Sequence, residues 1–167
     1  DTDEFIISDA GVLKRVDYSY LKPPAFYYRA YQSSQQTISN NTLTVLSFDV
    51  ASDAHSMWDT STNTLTIPAG GDGLWLLYAK VMQETDTSTG HMQLRLYTGA
   101  EIQTYAIGML TGNGVGSGLG TVQLTARSNL VAGNTFQWKV YQSSGGNLNI
   151  LNHATATVCF AMRLGDG

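Results

Sequence analysis

The sequence predicts an all-β chain: an antiparallel jelly-roll β-sandwich of about ten short strands behind a short extended N-terminal arm. Three observations carry that prediction. Apolar and polar residues alternate in Gln93-Leu-Arg-Leu96, Thr121-Val-Gln-Leu-Thr125 and Phe136-Gln-Trp-Lys-Val-Tyr141, the pattern of strands with one buried face. Turn formers punctuate the chain at short intervals: Asn40-Asn41, Gly70-Gly71, Thr89-Gly90, Thr98-Gly99, Ala132-Gly-Asn134 and Gly145-Gly-Asn147. Apolar residues at helical spacing are absent.

Residues 1–24 come first and differ from the rest, being richer in charge and closed by Pro23-Pro24. Phe5-Ile-Ile7 and Gly11-Val-Leu13 predict a small hairpin or arm around Ser8-Asp-Ala-Gly11, since Asp and Gly favour turns. A piece this short cannot bury its own apolar residues. Phe5, Ile6, Ile7, Val12 and Leu13 are therefore candidates for attachment to another protein. The double proline predicts a stiff, extended connection.

Residues 25–167 are expected to form the jelly-roll domain. Strands are expected at Ala25–Tyr31, Leu43–Asp49, Thr64–Ile67, Leu74–Gln83, Met92–Thr98, Ile102–Met109, Gly120–Ala126, Thr135–Gln142, Leu148–Leu151 and Ala154–Leu164. In Thr64-Leu-Thr-Ile67 the alternation is strict, so one face meets water. In Leu74-Trp-Leu-Leu-Tyr-Ala-Lys-Val81 both faces are apolar, so both must be covered.

Composition narrows the function. At 167 residues the chain holds one domain with a real core. Charged residues make up 13%, against roughly a quarter in ordinary globular chains; Thr, Ser, Asn, Gln and Gly carry the polarity instead. The net charge is −4 with no basic cluster, which argues against nucleic acid as a partner. No run approaches the about 18 apolar residues of a membrane-spanning helix, so membrane insertion is not expected. The single cysteine, Cys159, excludes an intrachain disulfide. No activating base accompanies it, and it reads as a small buried hydrophobe.

Enzymatic signals are scarce. His55, His91 and His153 lie in separate segments without zinc-ligand spacing. No Gly-x-Ser-x-Gly elbow occurs. Gly112 to Gly120 holds five glycines, but a strand pattern follows and no Lys accompanies it, so it reads as a connection rather than a phosphate loop. Asp53, Asp59, Asp72, Glu84 and Asp86 fall in expected loops and read as solvated carboxylates before they read as a calcium site. No catalytic residue, metal or cofactor is expected. Tyr31, Gln32, Tyr141 and Gln142 are ligand candidates, because an aromatic face beside amide groups suits a sugar.

Taken in order, these pieces resemble the trimeric jelly roll of the complement recognition-head and tumour necrosis factor superfamily. Ala25-Phe-Tyr-Tyr-Arg-Ala30 is similar to its opening strand, and Phe48-Asp49 to its Phe-Asp. Trp58-Asp-Thr-Ser-Thr-Asn-Thr-Leu-Thr-Ile-Pro68 resembles the Tyr-Asp, Thr-Gly, Phe-Thr, Pro run, and Gly73-Leu-Trp-Leu-Leu-Tyr78 the Gly-Leu-Tyr that follows. Leu94–Gly99 resembles the family's Leu and Asn-Gly turn, and Phe160-Ala-Met-Arg-Leu164 its closing strand. The resemblance covers residues 25–164. Departures are Asn63 where the family has Gly, Ala161 and Met162 in the closing strand, and the lack of a Gly-X-Y repeat. They weigh against a complement or cytokine role and leave the fold expectation intact. Residues 3–21, Asp-Glu-Phe-Ile-Ile-Ser-Asp-Ala-Gly-Val-Leu-Lys-Arg onward, resemble short segments of tailed-phage fibre and other virion proteins.

The resemblance implies a homotrimer built around one sheet. Trp75, Leu77, Tyr78, Val122, Leu124, Phe160 and Met162 are the interface candidates, about half of which must fill the subunit's own sandwich because alternate residues face opposite ways. The expected function is a non-enzymatic bacteriophage virion protein: a head fibre, spike or tail-fibre knob, attached through residues 1–24 to other virion proteins and facing a host-surface glycan or protein. A capsid decoration protein without host binding, and a secreted lectin-like module, are the competing readings.

Overall fold

The computed structural model describes residues 4–9, 12–17, 26–84, 90–98, 101–112 and 120–166. Among them there is no helix, and the strands are β1 Glu4–Asp9, β2 Val12–Asp17, β3 Tyr27–Tyr31, β4 Gln36–Ile38, β5 Leu43–Val45, β6 Val50–Asp53, β7 Trp58–Asp59, β8 Thr64–Thr66, β9 Gly73–Met82, β10 Gly90–Thr98, β11 Glu101–Gly112, β12 Thr121–Leu130, β13 Thr135–Gln142, β14 Leu148–Ile150 and β15 Val158–Gly165.

Two antiparallel sheets face each other. One runs β12-β9-β15-β3-β6. The other runs β11-β10-β13-β8-β7, with β5 also on β13. β13 pairs with β10 along one edge and divides its other edge, Thr135–Phe136 against β8 and Lys139–Tyr141 against β5. Smaller pairs are β14 with β4 and β1 with β2, the latter in register from Glu4 opposite Asp17 to Asp9 opposite Val12.

The period of two explains the core. On β9 Trp75, Leu77, Ala79 and Val81 are buried while their alternates are half-exposed. β13 buries Phe136, Trp138, Val140 and Gln142 in the same way. Tyr28, Ala30, Cys159, Ala161, Val122 and Leu124 join from the first sheet, Leu94, Leu96 and Leu65 from the second. An aromatic cluster ties the layers: the Trp58 ring stacks on Tyr28 at 5.2 Å and lies 5.8 Å from Phe48 and 6.1 Å from Trp138. Such ring pairs add roughly 0.5–1.5 kcal/mol each beyond burial.

Three strands escaped the sequence reading. β4, β6 and β7 are two to four residues long and largely polar, so no alternation marks them. Conversely, Ala154–Thr157 was expected as strand and is a turn, closed by the Ala156 and Thr157 amides donating to the His153 carbonyl at 2.9 and 3.1 Å. The strand expected to run to Asp49 ends at Val45, although the Leu46 amide still donates to the Trp138 carbonyl at 2.9 Å.

Candidate functional site

Two outer faces remain once the core is filled. On the five-stranded sheet, Leu74, Leu76, Tyr78 and Met82 of β9 alternate outward, and Phe160, Met162 and Leu164 do so on neighbouring β15. Tyr27 extends the face on β3 and is 41% exposed; Leu164 is 47% exposed and Met162 36%. The Tyr78 and Phe160 rings, cross-strand partners in register, stack at 4.8 Å. The result is an apolar strip on two adjacent strands, interrupted by Lys80 on β9 and flanked by Arg29 on β3 and the polar outward residues of β12.

The expected interface residues divide between the faces. Tyr78, Phe160 and Met162 lie outside. Trp75, Leu77, Val122 and Leu124 point inward and are buried, Trp75 donating its indole N–H to the Gly71 carbonyl at 2.7 Å. Both parities of β9 are apolar, so composition alone cannot say which faces in. Leu74 and Leu76, which the sequence reading passed over, share the outer face.

The outer face of the other sheet is polar and aromatic. On β10 it carries His91, Gln93, Arg95 and Tyr97; on β13 it carries Gln137, Lys139 and Tyr141. In register, Gln93 stands opposite Tyr141, Arg95 opposite Lys139 and Tyr97 opposite Gln137. Arg95 reaches diagonally over the Tyr141 ring, 5.3 Å from its centroid, and is also bonded to the Gln93 amide oxygen, its Nε at 2.9 Å. Lys139 reaches the opposite diagonal, its Nζ 4.3 Å from the Tyr97 ring centroid. His91 packs 5.6 Å from Tyr141 and shares a hydrogen bond with the Ser143 hydroxyl at 2.9 Å.

The four ligand candidates are not one site. Tyr141 lies on this polar face, and its hydroxyl bonds the Asn41 amide oxygen at 3.1 Å. Tyr31 is half-buried on β3, in the other sheet. Gln142 is fully buried: its amide donates to the Ile38 and Gly146 carbonyls at 3.0 and 2.7 Å, and its oxygen accepts the Ser144 amide at 2.7 Å. Gln32 is also buried, donating to Gln36 Oε1 at 2.7 Å, with Oε1 left without a partner. Both amides brace loops from inside. Their parity with Phe136, Trp138 and Val140, and with Tyr28 and Ala30, was the available signal.

The carboxylates brace turns and loops, Asp53 and Asp59 within their own segments and Asp49, Asp72 and Glu84 across distant ones. Asp53 accepts the Trp58 and His55 amides at 2.7 and 3.2 Å. Asp72 accepts the Ala132 amide at 2.6 Å, and Glu84 the Gln35 amide group at 2.7 Å. Asp59 takes hydrogen bonds from the Ser61 and Thr62 hydroxyls and the Ser61 amide, which hold its pKa down to about 2. At Asp49 burial pushes upward but the Ser33 hydroxyl and amide prevail, and the pKa falls. Asp86 and residues 113–119 of the glycine-rich segment lie outside the described residues. Among the described residues no three His, Cys, Asp or Glu side chains come together as metal ligands. Burial pushes the Cys159 thiol well above its ordinary range, though its hydrogen bond to the Tyr28 hydroxyl at 3.8 Å pulls the other way. A thiol held protonated is a poor nucleophile.

The chain is an all-β jelly roll, a fold it shares with solved structures of tumour necrosis factor and complement-head proteins. Among solved structures it is similar to the Eiger tumour necrosis factor of S. frugiperda, with a TM-score of 0.65 at 13% identity, covering 86% of this chain and 95% of that one. It is similar to murine APRIL (0.59, 10%, 84% and 99%) and to the globular domain of zebrafish complement 1qA protein (0.55, 10%, 85% and 99%). No family model matches the chain, and no curated protein does.

Proposed function

We propose that the chain is a non-enzymatic binding knob that assembles as a homotrimer through the outer face of the β12-β9-β15-β3-β6 sheet. The observation that carries this is the apolar surface of Leu74, Leu76, Tyr78, Phe160, Met162 and Leu164 on two adjacent strands. A soluble subunit gains by covering such a patch, and apolar area returns about 25 cal/mol for each Å² removed from water. A threefold arrangement of identical faces closes on itself and leaves no growing edge. The likeness of fold to the complement-head and tumour necrosis factor type supports this choice of partner.

In the finer reading, the knob is a virion appendage of a bacteriophage, extracellular, held to the particle through residues 1–24 and presenting its other sheet outward. Support comes from the likeness of residues 3–21 to phage fibre segments. Sedimentation equilibrium tests the assembly: the expected mass is three times the 18.1 kDa subunit, and a concentration-independent single subunit overturns it. Deleting residues 1–24 tests the attachment. The trimer is expected to persist while association with the particle is lost; retained association overturns the virion reading. Density at capsid threefold positions instead of a protruding knob would assign the same trimer to capsid decoration.

A further inference from the structure

We infer that the outer face of β10 and β13 is a binding site for an acidic saccharide, with Arg95 and Lys139 holding its carboxylate or sulfate and the edge of Tyr141 packing against its ring. This rests on the reading of the chain as a binding knob and names what the knob takes hold of.

The first observation is the register. Arg95 and Lys139 are directly opposite each other on the same face of an antiparallel pair. Like charges so placed repel and destabilise a sheet. They stand together in a chain with only 9 Lys and Arg residues and a net charge of −4. Nothing in the fold calls for either charge, because both side chains lie outside the core.

The second observation is how the pair is held. Among the described residues, neither cation meets a carboxylate. Arg95 lies over Tyr141 and against the Gln93 amide, and Lys139 lies over Tyr97. Each leans along the opposite diagonal, within reach of long side chains between neighbouring strands. Rings and an amide orient these cations without neutralising them, so the positive charge stays available. A face built for solubility alone would pair them with Asp or Glu.

The third observation is the flat surface beside the charges. Tyr141 is fixed from three sides, by Arg95, by His91 at 5.6 Å, and through its hydroxyl by Asn41 at 3.1 Å. A ring so fixed presents an apolar edge beside polar hydrogen-bonding groups, which is what a pyranose needs. Leu43, 36% exposed, is the register partner of Tyr141 on β5 and continues the apolar strip. A planar guanidinium beside an ammonium suits a carboxylate or sulfate better than a neutral hydroxyl.

The test is titration of the full chain, followed by NMR, with 3′-sialyllactose, a heparin-derived hexasaccharide, and lactose as the uncharged control. At least one acidic saccharide is expected to bind ten times or more tighter than lactose and to shift resonances on β10 and β13. The first two probes separate carboxylate from sulfate. In the Arg95→Gln/Lys139→Gln double variant that preference is expected to vanish, with a thermal midpoint no lower than the wild type's, because the cross-strand repulsion is relieved, and with sedimentation mass unchanged. Tyr141→Ala is expected to weaken binding, keeping any residual preference for the acid. Equal binding of lactose and the acidic probes, undiminished binding by the double variant, or no binding of either acidic probe at millimolar concentration overturns the inference. A trimeric mass with any of these results leaves the assembly standing, whereas a single-subunit mass with acid-selective binding removes only the assembly.

Discussion

Asn63 shows how a single residue can depart from a pattern and still do its work. It stands where the resembling family has glycine, and its backbone is left-handed, with φ 53°. Asn adopts that region at modest cost because its short amide finds local partners. Here its Oδ1 accepts the Phe48 amide at 3.3 Å, linking the β7–β8 turn to the core edge. In the same turn Asp59 yields a pH prediction. Its folded pKa, about 2, lies below the ordinary value of 3.8. The contribution of a depressed carboxylate is complete above the unfolded value and fades as pH falls through the folded one. Turn stability is therefore expected to decline between about pH 4 and pH 2, and Asp59→Asn is expected to flatten that dependence in acid unfolding monitored by tryptophan fluorescence. A wild-type curve already flat over this range would refute the assignment. None of this was legible as function; the five carboxylates looked alike in the sequence, and only the loop geometry separates Asp53 and Asp59, which close their own turns, from Asp72 and Glu84, which tie distant segments together.

Elements were legible in proportion to their contrast. β13 alternates cleanly, and its boundaries, Thr135 and Gln142, match the expected strand. β9 was legible as a strand covered on both sides, but the inward parity was not, since Trp75-Leu77 and Leu74-Leu76 are equally apolar. The start of β9 carries a constraint of its own. Gly73 has φ 140°, and a Cβ there would stand 2.3 Å from the Gly165 carbonyl oxygen, next to the register shift in β15 between Arg163 and Gly165. Gly73→Ala is expected to destabilise the chain by about 1–3 kcal/mol through forced backbone displacement, read as a lower denaturation midpoint at unchanged slope. Stability equal to wild type would show that the two strands can part without cost.

At the scale of the molecule, the all-β class and jelly-roll architecture were legible because turns and alternation recur along the whole chain. The composition of the two outer faces was only half legible. Tyr78, Phe160 and Met162, expected at an interface, lie on the outer face, and Leu74 and Leu76 share that face without having been expected there; Arg95 and Lys139 emerge as neighbours of Tyr141 only when the register sets them opposite each other. Sequence distance hides cross-strand neighbours. If the apolar face binds two other copies, stability depends on concentration by mass action. The thermal midpoint of the wild type is expected to rise with protein concentration, and that of Tyr78→Glu/Met162→Glu to be lower and independent of it. A wild-type midpoint that ignores concentration, with the double variant unaltered, contradicts burial of this face.

The alternation along β10 and β13 has a consequence for how freely the surface can vary. Leu94, Leu96, Trp138 and Val140 hold the sandwich, while the residues between them bear no core load. Such outward positions can be rewritten one by one under selection without disturbing the frame beneath. A scaffold of this kind can change its outward chemistry while its shape stays the same.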